Sequence, residues 1–434
     1  MPLGFRAGAA TVGIKASGKP DLMIIGIGAD APDASVAAVY TSNLMVAAPI
    51  VVSRRHLSAT DAAGGGRYGW TRAVICTSGC ANAATGPDGE ADQETLAIAL
   101  AEGLGTDPYR TVALSTGVIG TRLPAARIAP DIRRLASDGL SDVPESLAAA
   151  GRAMCTTDSR PKSACASLTL PDGHGAGVVV TVSGIAKGVG MIHPRMATML
   201  AVVLTDAAVA PAALYDILRG VAARTWNQLT VDGDTSTNDT VFLLASGGSG
   251  ATPVATGSPE AQALTAAIES VARSLARQQA ADGEGATTLI TCQVIGAMND
   301  ADARAVARSV VASSLVKAAV HGRDPNWGRI AAAAGNARLA DAAILEAAGM
   351  SSEEAARRQG AAAVVDPLRL RIAIAGTDVF AGSPLAFDRA AVRTAMDAPE
   401  LLIAVDLGSG HGTGEAFGCD LTEQYVIENA EYTT

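Results

Sequence analysis

Aromatic residues are scarce in this sequence, with five Phe, six Tyr and three Trp among 434 residues. Charged residues make up 18% and hydrophobic residues 49%, so the chain lacks the high charge and low hydrophobicity of a disordered protein or a coiled coil. Its core must therefore consist mainly of Ala, Val, Leu and Ile, and the 46 glycines permit tight turns. This composition predicts a large globular protein, which by length alone corresponds to roughly two or three domains.

An excess of basic residues is also missing. The 33 Lys and Arg residues are outnumbered by 43 Asp and Glu, so the chain lacks the basic surface expected of a nucleic-acid-binding protein. The most apolar run, 196–204, has nine residues, less than half of the roughly 20 that a membrane-spanning helix needs. The N-terminus has no apolar stretch typical of a signal peptide. We therefore predict a cytoplasmic protein that binds neither nucleic acid nor membrane.

Cysteine and histidine are too few and too scattered for the common metal or disulfide frameworks. The six cysteines do not form a disulfide scaffold for a chain of this length, and we expect them to be small buried side chains. Cys76 and Cys80 are separated by three residues, without the second pair or nearby His that a zinc site requires. The five histidines form no HxxxH or HExxH pair. We predict no metal site.

Short aliphatic or β-branched runs alternate with segments of helical periodicity along the chain. Apolar residues recur at helical spacing over 96–104 and over 264–275. Runs with the length of strands occur at 73–76, 112–114, 178–182, 199–204, 241–244, 288–294, 368–374 and 401–405. This alternation predicts an α/β fold, a layered sandwich of sheets flanked by helices.

Segment 187–200, KGVGMIHPRMATML, has an unusual combination of residues. A lysine, two glycines and a proline precede Ala197, which stands directly before Thr198 and an aliphatic run. One interpretation of this spacing is a loop that enters a core strand. The other is a self-cleaving bond between Ala197 and Thr198, which would leave Thr198 as a new N-terminus. Such a threonine carries its own base, because its free α-amine can take the hydroxyl proton during attack.

Eight short segments along almost the whole chain together form a specific pattern. In chain order they are STGVIG at 115–120, TTD at 156–158, the segment 187–200, DGDTSTND at 232–239, DGEG at 282–285, DPNWGR at 324–329, CDLT at 419–422 and NAEYTT at 429–434. In their order and spacing these segments resemble the ornithine acetyltransferase family, also called the bifunctional glutamate N-acetyltransferase/amino-acid acetyltransferase family. The resemblance implies a sandwich fold that is similar to, but topologically distinct from, the N-terminal-nucleophile hydrolases.

The resemblance also implies which residues act. Thr198 matches the nucleophile, and the bond between Ala197 and Thr198 matches the site of autoproteolysis. The chain would then mature into an α fragment, 1–197, and a β fragment, 198–434, which stay associated and assemble further into a heterotetramer. Thr116 and Gly117 match the family's oxyanion-stabilising pair, in which each donor contributes about 3 kcal/mol. The matching substrate-binding positions are Thr156, Lys187, Thr198, Glu284, Asn429 and Thr434.

Each of these residues taken alone has a simpler explanation. Lys187 could be a solvated loop lysine, Glu284 a helix-end cap and Asn429 a turn residue, and the joint match is what outweighs those alternatives. Segments 232–239 and 324–329 are expected to form loops that support the site. The chain departs from the family pattern at His193 and Arg195, where small residues are usual.

The implied reaction is a double displacement that belongs to arginine biosynthesis. N2-acetylornithine acetylates Thr198 and releases ornithine, and glutamate then attacks the acyl-enzyme and leaves as N-acetylglutamate. No metal or organic cofactor is expected, because a base and an oxyanion hole suffice for this exchange. Some family members also use acetyl-CoA, and no residue here distinguishes the two kinds. Two alternatives remain: a self-processing N-terminal-nucleophile aminopeptidase or amidase, and a binding protein without activity.

Overall fold

The computed structural model describes residues 1–192 and 199–430. Five residues discussed above lie outside the described residues: His193, Arg195, Ala197, the predicted nucleophile Thr198, and Thr434. In the described ranges, none of the helices combines the length and the apolar character that crossing a membrane requires.

The described residues form fifteen strands and thirteen α-helices. The strands are β1 Phe5–Ala10, β2 Leu22–Ile27, β3 Ala34–Tyr40, β4 Tyr68–Thr71, β5 Ala73–Cys80, β6 Thr111–Val118, β7 Lys162–Pro171, β8 Gly177–Lys187, β9 Leu200–Thr205, β10 Thr240–Ala245, β11 Leu289–Ala297, β12 Arg371–Ile374, β13 Thr377–Ala381, β14 Glu400–Asp406 and β15 Gly412–Cys419. The helices are α1 Ala48–Thr60, α2 Gly86–Leu104, α3 Ala125–Asp138, α4 Pro144–Met154, α5 Pro211–Arg224, α6 Pro259–Ala281, α7 Asp300–Ala312, α8 Ser314–His321, α9 Trp327–Gly335, α10 Ala342–Ala347, α11 Ser352–Arg358, α12 Arg389–Ala395 and α13 Glu423–Ala430.

These strands form three sheets. Their orders are β1-β2-β5-β6, β4-β3-β10-β9-β8-β7 and β13-β12-β14-β11-β15. Most neighbours are antiparallel, but β5 and β6 are parallel, as are β9 and β10 and also β11 and β14. In the second sheet β8 and β9 are antiparallel neighbours, so that Lys187 at the end of β8 lies opposite Leu200 at the start of β9.

The first two sheets pack face to face. Their shared core includes Met23 and Val74 from the first sheet and Val202 and Phe242 from the second. The outer face of the first sheet is covered by α2 and α3, and that of the second by α5 and α6. The order of layers is therefore helices, sheet, sheet, helices, which confirms the predicted α/β sandwich.

The third sheet has a core of its own, formed with α7, α8 and α9. It is joined to the sandwich through α6, because Arg277 of α6 binds Glu400 of β14 at 2.8 Å. Arg273 of the same helix pairs with Glu415 of β15, and both arginines lie over the ring of Phe417. One long helix thus packs on the second sheet and against the third.

The apolar runs and helical periodicities of the sequence coincide with these elements. Each of the eight predicted strand runs overlaps a strand, and β9 and β10 are buried at every position because a layer lies on each of their faces. The periodicity over 264–275 lies within α6, which begins after Ser258, whose side chain accepts the Ala261 N–H. The periodicity over 96–104 lies in the C-terminal half of α2. This helix ends before Gly105, whose φ of 64° is the left-handed conformation that commonly follows a helix.

The expectation that all cysteines are buried is wrong at two positions. Cys76, Cys80, Cys292 and Cys419 are buried, but Cys165 is exposed and Cys155 is half-buried, and all six are free thiols. Cys165 lies in β7, the edge strand of the second sheet, where alternate side chains point to solvent.

Candidate active site

A cavity of about 310 Å³ opens at the end of the sandwich where β6 and β8 end and where β9 and β10 begin. All the predicted site residues that the structure describes line this cavity: Thr116, Gly117, Thr156, Lys187, Glu284 and Asn429. Thr116 and Asn429, which are 313 positions apart in the sequence, thus line the same cavity. This volume suits a ligand the size of an amino acid.

Lys187 is buried in the wall of the cavity, with 4% of its surface exposed. Its ammonium donates to Thr156 Oγ1 at 2.8 Å and to Thr116 Oγ1 at 3.2 Å. It also lies 3.7 Å from a carboxylate oxygen of Asp158. Lys187 is therefore a fixed, buried cation and not a solvated loop lysine.

Asp158 is the counter-ion that holds this lysine. Its side chain is fully buried and accepts hydrogen bonds from Gly188 N at 2.9 Å and Thr156 N at 3.0 Å. It also accepts from the ammonium of Lys162 at 2.5 Å. Burial alone would raise the pKa of Asp158, but the ammonium groups of Lys187 and Lys162 outweigh it and lower the pKa to about 2. The carboxylate is therefore charged throughout the physiological range.

The backbone at Gly117 excludes any side chain. Its φ is 131°, and a Cβ there would lie 2.3 Å from the carbonyl carbon of Gly79, because β5 and β6 approach each other closely at this point. The side-chain amide of Asn238 holds the same strand ends in place. It donates to Ser115 O at 2.9 Å and to Ala81 O at 2.7 Å.

The start of β9 is fixed by a buried acid that immediately precedes the neighbouring strand, β10. Asp239 is fully buried, and its Oδ1 accepts the backbone N–H of Met199 at 2.9 Å. Burial raises the pKa of Asp239 well above its usual range, although the Met199 N–H and the Lys187 ammonium oppose the shift. Met199 is the residue that follows the predicted nucleophile.

Glu284 and Asn429 lie at the rim and connect distant segments. Glu284 Oε1 accepts from Thr157 Oγ1 at 2.9 Å, and its Oε2 accepts from Asn429 Nδ2 at 3.0 Å. The backbone N–H of Glu284 donates to Val189 O at 2.8 Å. Glu284 is therefore not a helix-end cap, and Asn429 lies in α13 and not in a turn.

The two segments expected to support the site lie in different places. Ser236, Thr237 and Asn238 line the cavity, as expected for segment 232–239. Segment 324–329 does not line it, contrary to the expectation, and belongs to the unit of the third sheet instead. No group of three or more His, Cys, Asp or Glu side chains suited to a metal ion occurs within 1–192 and 199–430.

Comparison with known proteins shows the family to which this chain is related. The model of the ArgJ family matches residues 6–434. The chain belongs to the ArgJ family. The arginine biosynthesis bifunctional protein ArgJ of Thermus thermophilus is 43% identical over 434 residues, covering 100% of this chain and 99% of that protein. Its counterpart from a Synechococcus species is 43% identical over 436 residues, covering 100% and 96%.

A crystal structure of the ArgJ protein from Bacillus halodurans is 36% identical to this chain, with a TM-score of 0.46. The matched region covers 53% of this chain and 98% of the Bacillus halodurans chain. Membership in the ArgJ family makes the protein an enzyme, an acetyltransferase of arginine biosynthesis.

In this ArgJ-family chain, sequence reasoning assigned no individual role to Asp158, Lys162, Asn238 or Asp239. Asp158, Asn238 and Asp239 lie within the motifs TTD and DGDTSTND, so the motifs indicated the segments that contain these residues.

Proposed function

We propose that this ArgJ-family enzyme is a glutamate N-acetyltransferase that transfers the acetyl group of N2-acetylornithine to glutamate through an acetyl-Thr198 intermediate. The observation that carries the proposal is the buried Lys187 ammonium, hydrogen-bonded to Thr116 and Thr156 beside the backbone of Gly117. This arrangement combines a cation for an amino-acid carboxylate with a backbone suited to an oxyanion.

Charges of both signs in the cavity support an amino-acid substrate. The ammonium of Lys187 is a natural partner for an α-carboxylate, and the carboxylate of Glu284 at the rim suits a substrate ammonium. One cavity of about 310 Å³ would accept N2-acetylornithine and then glutamate in turn. Two substrates that share a site favour a double displacement over direct transfer.

In the first half-reaction, the Thr198 hydroxyl would attack the acetyl carbonyl while the α-amine of Thr198 takes the hydroxyl proton. The resulting oxyanion would be stabilised by Thr116 and Gly117, and its collapse would break the amide bond and release ornithine as the proton passes to the leaving nitrogen. The amine of glutamate would then attack the ester, regenerating the Thr198 hydroxyl. The anchoring of Met199 by Asp239 supports a nucleophile held at the head of β9.

The nucleophile would be generated by cleavage between Ala197 and Thr198, giving fragments 1–197 and 198–434. The second sheet supports their lasting association. In its order β4-β3-β10-β9-β8-β7, the strands β9 and β10 of the second fragment lie between β3 and β8 of the first. Separating the fragments would break the pairings of β3 with β10 and of β8 with β9, and would expose the cores on both faces of the second sheet. The two fragments would therefore remain together, and this pair could assemble into the proposed heterotetramer.

Two measurements on purified protein test this proposal. Cleavage should give bands of about 20 and about 24 kDa on a denaturing gel, from scaling 43.5 kDa by fragment length. N-acetylglutamate should form from N2-acetylornithine and glutamate, with an acetyl group trapped on Thr198 by mass spectrometry. The same assay with acetyl-CoA as donor establishes whether the enzyme also uses it.

Two variants make the test specific. Thr198→Ala should remain a single band and transfer nothing, whereas the matched change Thr95→Ala on α2, outside the cavity, should cleave and transfer as the wild type does. A fully active chain that stays uncleaved contradicts the proposed nucleophile. Turnover that releases acetate without any dependence on glutamate would instead support an amidase.

A further inference from the structure

A second cavity, of about 770 Å³, lies in the unit formed by the third sheet and its helices. It is bounded by α7, by the N-terminal part of α9 and by the loop that precedes α10. None of the residues that line it also lines the candidate active site, so the two cavities are separate. Segment 324–329, which the active site did not use, contributes Asn326, Gly328 and Arg329.

Positive charge dominates this second cavity. Arg308, Arg329 and Arg338 line it, and among the described lining residues the acidic one is Asp341. A smaller cavity shares Arg308 and Arg338 with it and adds Arg304. The local excess of guanidinium groups is notable because the chain as a whole carries a formal charge of −10.

The position of one guanidinium is fixed before any ligand arrives. Arg329 donates from Nη1 to Leu315 O at 2.7 Å, which orients its planar group. The hydroxyl oxygen of the neighbouring Ser313 accepts the Val316 N–H at 3.3 Å. Arg338 is exposed at the edge of the cavity. An anchored guanidinium and one exposed to solvent together suit the binding of an anion from solvent.

We propose that this cavity binds a small molecule that carries an oxyanion of at least two negative charges. Guanidinium groups bind phosphate and carboxylate oxygens in a bidentate manner, and several around one cavity select a multiply charged ligand. The volume lies within the range of small-molecule sites. Phosphate groups and paired carboxylates share this chemistry, and the experiment distinguishes them.

Isothermal titration calorimetry on the intact protein, with pyrophosphate and separately with citrate, tests the proposal directly. At least one anion should bind saturably, and Arg338→Gln and Arg329→Gln should each weaken binding about tenfold through loss of a charge-assisted contact. Asp341→Asn should tighten it. The matched control is Arg357→Gln on α11, an arginine 75% exposed outside the cavity, which should leave affinity unchanged. Because binding is read without turnover, the result is independent of acetyl transfer.

Binding of pyrophosphate alone identifies a phosphate-bearing ligand, and binding of citrate alone identifies a carboxylate ligand. Absence of saturable binding by either anion up to about 10 mM would overturn the proposal. So would binding that the two cavity variants leave unchanged. If neither anion binds and Arg338→Gln alters the mass of the assembly in light scattering, the arginines serve an interface and the proposal is wrong.

Discussion

Replacing Asp158 by Asn keeps the size of the side chain and removes the charge that neutralises the buried lysines of the site. The carboxylate is fully buried and faces the ammonium groups of Lys162 and Lys187, at 2.5 Å and 3.7 Å. After the change, those two lysines retain Asp282, whose carboxylate contacts Lys162. One buried positive charge therefore loses its partner.

The pKa of Asp158 sets the lower limit of the expected effect. A shift from the model-compound value of 3.8 to about 2 corresponds to about 2 kcal/mol of stabilisation by the charge. Leaving a buried charge without its partner typically costs about 3–5 kcal/mol, which gives the upper limit. For 434 residues unfolding as one unit, about 2–5 kcal/mol lowers the Tm by roughly 2–6 °C.

The loss of stability caused by Asp158→Asn must also depend on pH, and it must become smaller as the pH falls. Because the folded-state pKa of Asp158 is depressed, its stabilisation is present above the unfolded value of 3.8 and is lost as the pH falls towards about 2. The difference in Tm between wild type and Asp158→Asn should therefore be largest near pH 7 and shrink below about pH 4. Thermal unfolding followed by circular dichroism at pH 7, 5 and 2.5 measures it.

A matched exposed carboxylate provides the control. Asp216 forms an i,i+3 pair with Arg219 on α5 and is 54% exposed, so Asp216→Asn should change stability by less than about 0.5 kcal/mol. If Asp158→Asn melts within 1 °C of the wild type at pH 7, or if its deficit persists unchanged at pH 2.5, then Asp158 is not the charged partner of these lysines.

Three further outcomes are expected. Gly117→Ala should destabilise the protein by about 2–6 kcal/mol, because φ is 131° and the new Cβ meets the Gly79 backbone; a variant with unchanged Tm would refute this close approach. Asp239→Asn should gain stability relative to the wild type as the pH rises in differential scanning fluorimetry, since burial raises the Asp239 pKa and its neutral form is lost at high pH; parallel curves would contradict it. The kcat/KM for N2-acetylornithine should rise with pH across one ionisation and then plateau, because the Thr198 α-amine must be neutral to act as base; a flat profile would exclude that base.

The layered fold was largely predictable from the sequence because burial dictates composition. β9 and β10 lie between two layers, so both of their faces must be apolar. Each strand therefore contains an uninterrupted apolar run that can be recognised in the sequence. Seven of the fifteen described strands were not predicted: β1, β2, β3, β4, β7, β13 and β15. For β1 and β7 the reason is that they are edge strands, in which half-exposed positions and short side chains weaken the signal. An edge position does not explain β2 and β3, which are buried interior strands. The exposure of Cys165 has the same origin, since residue type alone does not reveal an edge.

The sequence by itself determined the family, eight of the fifteen described strands, two of the thirteen described helices and six of the residues that line the cavity, through apolar patterns and through motifs whose order is specific. Only the tertiary structure decided that Lys187 is paired with Asp158, that Glu284 binds Asn429, and that segment 324–329 belongs to a second, arginine-lined cavity. The physical reason is that charge pairing and burial depend on distances between segments far apart in the chain. Strand order sets those distances, and no local pattern of residues encodes it.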